Sequence, residues 1–132
     1  MKLPPFNVLV ADDDPNIAVV VPMILRRLGH NVEAVADGKE AIALLAAHPG
    51  HYDVLITDHS MKEVSGPELV DHFRAHGFRG KIVVMSGSLT DEWMHSYLAK
   101  RVDKILQKPF TMELLSSTFR DLFDNWKDEG KP

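Results

Sequence analysis

The chain has no cysteine, which excludes disulfides, thiolate metal sites and cysteine nucleophiles and is compatible with a reducing compartment. It has no basic excess: 15 lysines and arginines stand against 19 aspartates and glutamates, a net charge of −4. The clustered cations that attract a nucleic acid backbone are therefore missing, and no direct nucleic acid binding is expected. Long hydrophobic runs are absent too. The most apolar stretch, Ile17 to Leu25, is far shorter than a bilayer span and contains Pro22. Met1-Lys2-Leu3-Pro4-Pro5 lacks the apolar core of a signal peptide. Repeats at solenoid periods, low-complexity segments and internal linkers are also lacking. At 132 residues, long enough to bury a real core, the chain reads as one domain over residues 1–126 with a flexible tail over 127–132. A soluble cytoplasmic protein without a membrane partner is the expectation.

What is present is an alternation of short apolar runs with segments of helical length, the pattern that calls for a parallel sheet. Strands are expected at Asn7 to Ala11, Val32 to Ala36, Tyr52 to Thr57, Lys81 to Met85 and Asp103 to Gln107. Helices fill the intervals. The first runs from Pro15, favoured in a first turn, to Leu28, with Gly29 as its stop. Asp37 caps the second, which Pro49-Gly50 breaks. Ser65 and Glu68 have capping-box spacing before the third, and Ser88 and Asp91 repeat it before the fourth, from Glu92 to Lys100. The last helix, Thr111 to about Trp126, presents Leu115, Phe119, Leu122 and Trp126 on one stripe. Val19-Val20-Val21-Pro22 favours a strand by local propensity. A helix is expected there, kinked near Pro22, because its start and stop signals agree and a crossover needs one.

Parallel strands covered on both faces read as continuous apolar runs, as the first, third and fourth do. The second and fifth, with Glu33 and with Asp103-Lys104, are more polar and suit edges. The expected fold is α/β, a doubly wound (βα)5 three-layer sandwich with strand order 2-1-3-4-5. Its switch point lies between strands one and three, where open sheets build their sites.

Four of the runs end on residues suited to phosphate or metal chemistry: Asp12-Asp13-Asp14, Asp58, Ser86 and Lys108. Carboxylates packed together repel unless a cation neutralises them. Magnesium takes oxygen ligands, usually one or two carboxylates plus phosphate oxygens. Asp12 and Asp13 suit the carrier of the ion, and Asp58 suits either a further ligand or a nucleophile forming an aspartyl-phosphate. Ser86 can donate to a phosphoryl oxygen and Lys108 can neutralise another. Phosphoryl transfer depends mainly on positioning and charge stabilisation, so these parts suffice without a dedicated base. Asp14 reads as the cap of the first helix.

These motifs resemble the receiver domain of two-component response regulators, a CheY-like, flavodoxin-like fold. The resemblance covers roughly Asn7 to Phe123 and rests on the apolar run ending in Asp12-Asp13, the strand ending in Asp58 with Gly66 closing the loop, Ser86-Gly87, and Lys108-Pro109-Phe110. It implies that Asp12 and Asp13 are the acidic pair at a magnesium or manganese ion, with Asp58 and the backbone carbonyl of Ser60 as further ligands. It also implies that Asp58 is the phosphoacceptor, Ser86 the switch hydroxyl and Lys108 the phosphate-binding lysine. The implied partners are a sensor histidine kinase or histidine phosphotransfer protein and a downstream protein; a homodimer stays open. The implied activity is that of a phosphoacceptor, with at most self-phosphorylation and self-dephosphorylation. Three features depart from the family pattern. Ile105 stands where an aromatic residue is common, Lys62 where the loop usually has proline, and Lys100-Arg101-Val102-Asp103-Lys104 where the approach to the last strand is usually small.

Two other functions compete. A receiver-fold adaptor acting without phosphorylation is suggested by Ile105 and Lys62. A haloacid-dehalogenase-type phosphatase would use the DxD spacing of Asp12 and Asp14, but Asn16 stands in place of its Thr or Val and Asp58 would have no role. A flavin site is disfavoured by the acidic loop after the first strand. His72 and His76 share a helical face without an evident third ligand and read as a surface pair. His59 reads as an exposed loop histidine, and Trp93 and Tyr97, one turn apart, as either a docking patch or ordinary packing.

Overall fold

The computed structural model describes residues 5–128. The elements alternate in chain order: β1 Asn7–Ala11, α1 Pro15–Arg27, β2 Asn31–Val35, α2 Gly38–Ala47, β3 Val54–Asp58, α3 Gly66–Ala75, β4 Lys81–Ser86, α4 Asp91–Ala99, β5 Lys104–Gln107 and α5 Met112–Asp128. All strand pairs are parallel, in the order β2-β1-β3-β4-β5. The order expected from strand polarity is the one found. β3 and β4 are buried throughout, whereas β2 and β5 expose part of their length.

The two-residue period of the strands divides the core between the sheet's faces. Val8, Val10, Val54, Ile56, Val83 and Met85 point to the face covered by α1 and α5, where they meet Leu25, Leu115, Phe119 and Leu122. Leu9, Leu55, Ile82 and Val84 point the other way, towards Ala41 and Leu45 of α2, Leu69 and Phe73 of α3, and Tyr97 of α4. Each fully buried side chain of this size stabilises the fold by about 1.5–3 kcal/mol.

The helix ends follow their local chemistry. Asp14 caps α1, its carboxylate accepting from the Asn16 amide; Asp37 caps α2, and Ser65 with Glu68 closes a capping box on α3. Gly29 leaves α1 with φ of +98°, a conformation that suits glycine. Pro22 lies inside α1 with its ring buried, so tertiary packing overrides the β-branched propensity of Val19 to Val21. One cap differs from expectation. α4 begins at Asp91 and its cap is Thr90, whose hydroxyl accepts from the Trp93 amide, while Ser88 lies in the turn after β4 with its backbone amide and carbonyl bonded to the Ser86 hydroxyl. α5 extends through Asp128, past the expected end at Trp126. The first two residues of the tail expected over 127–132 are therefore helical, while its remainder and the expected packing of Trp126 lie outside the described residues. Among the described residues, no helix is long and apolar enough to cross a membrane.

Candidate functional site

The sheet reverses direction of growth at β1, and the crevice at the carboxyl ends of β1 and β3 receives Asp12, Asp13 and Asp58. One carboxylate oxygen from each lies within 4.8 Å of the others. Asp12 is buried and held from both sides: Oδ1 accepts from the Asp14 amide at 2.8 Å and Oδ2 from Lys108 Nζ at 2.9 Å. Asp13 is exposed and opens the cluster to solvent. Asp58 ends the fully buried β3 and accepts from Lys108 Nζ at 3.2 Å.

Lys108 reaches this point from the end of β5. Its amide donates to the Ser86 carbonyl at 2.7 Å, and the Lys108-Pro109 peptide bond is cis. A single ammonium therefore bridges two carboxylates from β1 and β3. Burial lowers the Lys108 pKa, but the hydrogen bond to Asp12 and the charges of Asp12 and Asp58 outweigh it, and the pKa rises above its ordinary value. Asp58 is also pushed up, first by burial and then by the charge of Asp12. Lys108 opposes that rise and Asp13 adds to it. One cation beside three carboxylates leaves the cluster under-neutralised. Its oxygen-only donor set, with one member open to solvent, fits a hard divalent cation.

The loop after Asp58 is held close to the site. The Gly66 amide donates to the His59 carbonyl at 3.0 Å, and a Cβ at Gly66 would stand 2.4 Å from the Asp58 carbonyl oxygen. Only glycine permits that approach. Ser60 and Lys62 are exposed on this loop, and Glu63, at φ of +65°, pairs with Lys39 of α2 at 3.1 Å. Ser86 stands at the end of β4, one residue past Met85, which pairs with Asp58 across the strands. Its hydroxyl donates to the Ser88 carbonyl at 3.1 Å and accepts from the Ser88 amide at 3.2 Å, so it faces its own turn rather than the acidic cluster.

The sequence reading missed what surrounds His59. Its ring Nδ1 is hydrogen-bonded to the Tyr97 hydroxyl, and the ring stands edge-to-face with Trp93 and Tyr97, with centroids 4.9 and 5.6 Å away. His59 is half-buried rather than exposed; burial lowers its pKa and the Asp58 charge partly restores it. Trp93 and Tyr97 divide the roles left open for them, Tyr97 being fully buried and Trp93 exposed. The spacing of Trp93 and Tyr97 signalled a shared face, but nothing local connects them to residue 59. His72 of α3 and His76, the residue that caps its carboxyl end, stack at 3.9 Å and join no metal-binding group among the described residues. Asp103, expected only as an edge marker, accepts from the Ile82 amide at 2.9 Å and pairs with Arg74 and Lys81.

The model of the response regulator receiver domain matches residues 8–120. The chain belongs to the response regulator receiver domain family. This receiver domain is 28% identical to chemotaxis protein CheY4 of Vibrio cholerae, with a TM-score of 0.81 over 90% of this chain and 99% of that one. It is 26% identical to the response regulator TrrA of Thermotoga maritima, solved in complex with Mg2+ and a beryllium fluoride, with a TM-score of 0.77 over 89% and 98% of the two chains. The aerobic respiration control sensor protein ArcB of Escherichia coli is 26% identical over 133 residues, 98% of this chain. The receiver domain spans only 17% of ArcB's length. The fold and its CheY-like topology are those expected from the sequence.

Proposed function

We propose that this receiver domain is a phosphoacceptor switch that takes a phosphoryl group onto Asp58 with a divalent cation, magnesium or manganese. The observation that carries the reading is the convergence of Asp12, Asp13 and Asp58 within 4.8 Å, bridged by Lys108. The donor is the phosphohistidine of a sensor kinase or phosphotransfer protein. An Asp58 carboxylate oxygen attacks phosphorus, a P–O bond forms as the P–N bond breaks, and the imidazole nitrogen that leaves with the electron pair takes up a proton from solvent. A divalent cation held by Asp12, Asp13, Asp58 and the Ser60 carbonyl would neutralise the phosphoryl charge and favour ionised Asp58.

Lys108 supplies a second positive charge. Its ammonium already contacts Asp58, so a small shift from Asp12 brings it to a phosphoryl oxygen, in a pocket where fixed charges cost no reorganisation. Ser86 would turn from Ser88 to donate to another oxygen. That rotation links arrival of the phosphoryl group to the turn after β4. The Ser88 amide and carbonyl released by it lie two residues from the Thr90 cap of α4, which connects the chemistry to a surface a downstream partner could read. Water attacking the aspartyl-phosphate resets the switch, so the domain's own activity is limited to self-phosphorylation and self-dephosphorylation. A cytoplasmic location, where kinase and phosphodonor meet it, accompanies this role.

The geometry weighs against the phosphatase alternative because Asp58 joins the cluster instead of standing idle. The test is intact-mass measurement after incubation with phosphoramidate and magnesium. One phosphoryl group should add to the protein, and none to Asp58→Asn or to protein stripped of divalent cations. Continuous turnover of a phosphomonoester that survives in Asp58→Asn would replace this reading with the phosphatase.

A further inference from the structure

α4 has a weak hold on the rest of the fold. Among its residues only Tyr97 is buried, while Trp93, Met94 and Leu98 are exposed. Elements with few buried apolar contacts belong to the low-stability end of a structure and move most easily. The helix is tied at its carboxyl end, where Lys100 pairs with Asp71 at 2.7 Å and Arg74 donates to the Arg101 carbonyl at 2.6 Å. A further tie is the ring of His59, which reaches Trp93 in the first half of the helix and Tyr97 in the second.

That ring leaves the chain one residue after Asp58. The His59 backbone is fixed on both sides, its amide donating to the Met85 carbonyl at 2.9 Å and its carbonyl accepting from Gly66. The imidazole projects to α4, bonds the Tyr97 hydroxyl and makes a T-shaped contact with Trp93. Tyr97 and Trp93 are themselves neighbours, with centroids 6.0 Å apart. The only buried anchor of α4 therefore has its polar end on the residue adjoining the phosphoacceptor. Ile105, which packs against the same cluster, carries no polar group that could take part.

We propose that His59 is a positioning residue that couples occupancy of Asp58 to α4, by holding Tyr97 through a hydrogen bond and Trp93 through ring contact. The inference rests on Asp58 being the phosphoacceptor. Added charge and oxygens at Asp58 displace its neighbour's ring, and a helix held by one buried side chain follows that ring. A buried tyrosine hydroxyl left without its partner is costly, which makes Tyr97 move with His59 rather than apart from it.

The experiment uses the Trp126→Phe background, in which Trp93 is the sole tryptophan. Beryllofluoride with magnesium is titrated while occupancy is read by fluorine NMR and α4 by Trp93 emission. The parent should show an emission shift that saturates with occupancy. His59→Ala should bind the mimic and lose the shift, His59→Asn, which keeps a polar group near the Nδ1 position, should restore part of it, and Tyr97→Phe should reduce it while keeping the ring. An emission shift in His59→Ala equal to the parent's, or no shift in a parent that binds the mimic, overturns the coupling and leaves the phosphoacceptor assignment standing. No bound fluorine signal in the parent overturns the assignment itself. If His59→Ala does not fold, Tyr97→Phe decides, because an unchanged shift there contradicts the hydrogen-bonded link.

Discussion

Lys108→Ala tests whether one ammonium holds the acidic cluster together. In the native fold Nζ stands 2.9 Å from Asp12 and 3.2 Å from Asp58, and its removal leaves three carboxylates, with one oxygen of each within 4.8 Å of the others, without the cation that bridges them among the described residues. Breaking a buried ion pair by deleting one partner costs about 3–5 kcal/mol. The Lys108 side chain is 21% exposed and Asp13 opens the site to solvent, so screening reduces this to about 2–3 kcal/mol. Unfolding entropy for a domain of this size converts each kcal/mol to roughly 4 °C, a fall in Tm of about 8–12 °C at pH 7. The sign with pH follows from the direction of the shifts. The Lys108 pKa is raised above its ordinary 10.5, so its contribution is fully present below that value and is lost as pH rises through the folded pKa. In the variant, acidification lets a carboxyl proton replace the missing charge, and the deficit against wild type narrows as pH falls through the carboxylate range. Millimolar magnesium should narrow it as well, because a cation with no ammonium to oppose it stabilises the fold by mass action. Calorimetric melts of both proteins at pH 5 and 7, with and without magnesium, measure all three effects. A Tm within about 2 °C of wild type at pH 7, or a deficit unchanged by both acid and magnesium, refutes the reasoning.

Asp58→Asn should stabilise the apo protein at pH 7 by about 1 kcal/mol. Its folded pKa is raised above 3.8, so ionisation costs stability as pH rises through the folded value, and the gain in melts of the variant should vanish as pH falls towards 4. Gly66→Ala drives a methyl to 2.4 Å from the Asp58 carbonyl; denaturant titration should show a loss of about 1–3 kcal/mol, with phosphoryl uptake slowed by the displaced loop. Phe73→Ala opens a cavity in the face covered by α2, α3 and α4 and should cost about 3–5 kcal/mol in the same titration. Ser86→Ala loses only local bonds to Ser88, so stability should change by about 1 kcal/mol or less while stopped-flow phosphorylation slows several-fold.

The fold was legible because strand polarity and helix punctuation are local properties. The unbroken apolar run of β3 and β4 announces coverage on both faces, and Glu33 and Lys104 mark edges. The acidic cluster was legible for a related reason: parallel strands deliver whatever follows them to one rim of the sheet, so Asp12, Asp13, Asp58 and Lys108 meet once the topology is known. Pairings that depend on side-chain reach were not legible. Nothing near His59 in the chain announces Tyr97, 38 residues away, and Asp103 reads as a polar edge until Arg74 and Lys81 are seen around it. Ser88 has capping-box spacing to Asp91, but it belongs to the turn that bonds the Ser86 hydroxyl, and α4 starts two residues later from Thr90.

The most direct measurement of the central claim is the location of the phosphoryl group. Protein phosphorylated by phosphoramidate with magnesium is treated with borohydride, which reduces an acyl phosphate to an alcohol, and the modified residue is located by peptide mass spectrometry. Reduction confined to Asp58 is the result predicted. Reduction at Asp12 or Asp13 with Asp58 untouched, or phosphate found on a histidine or serine instead, would contradict it.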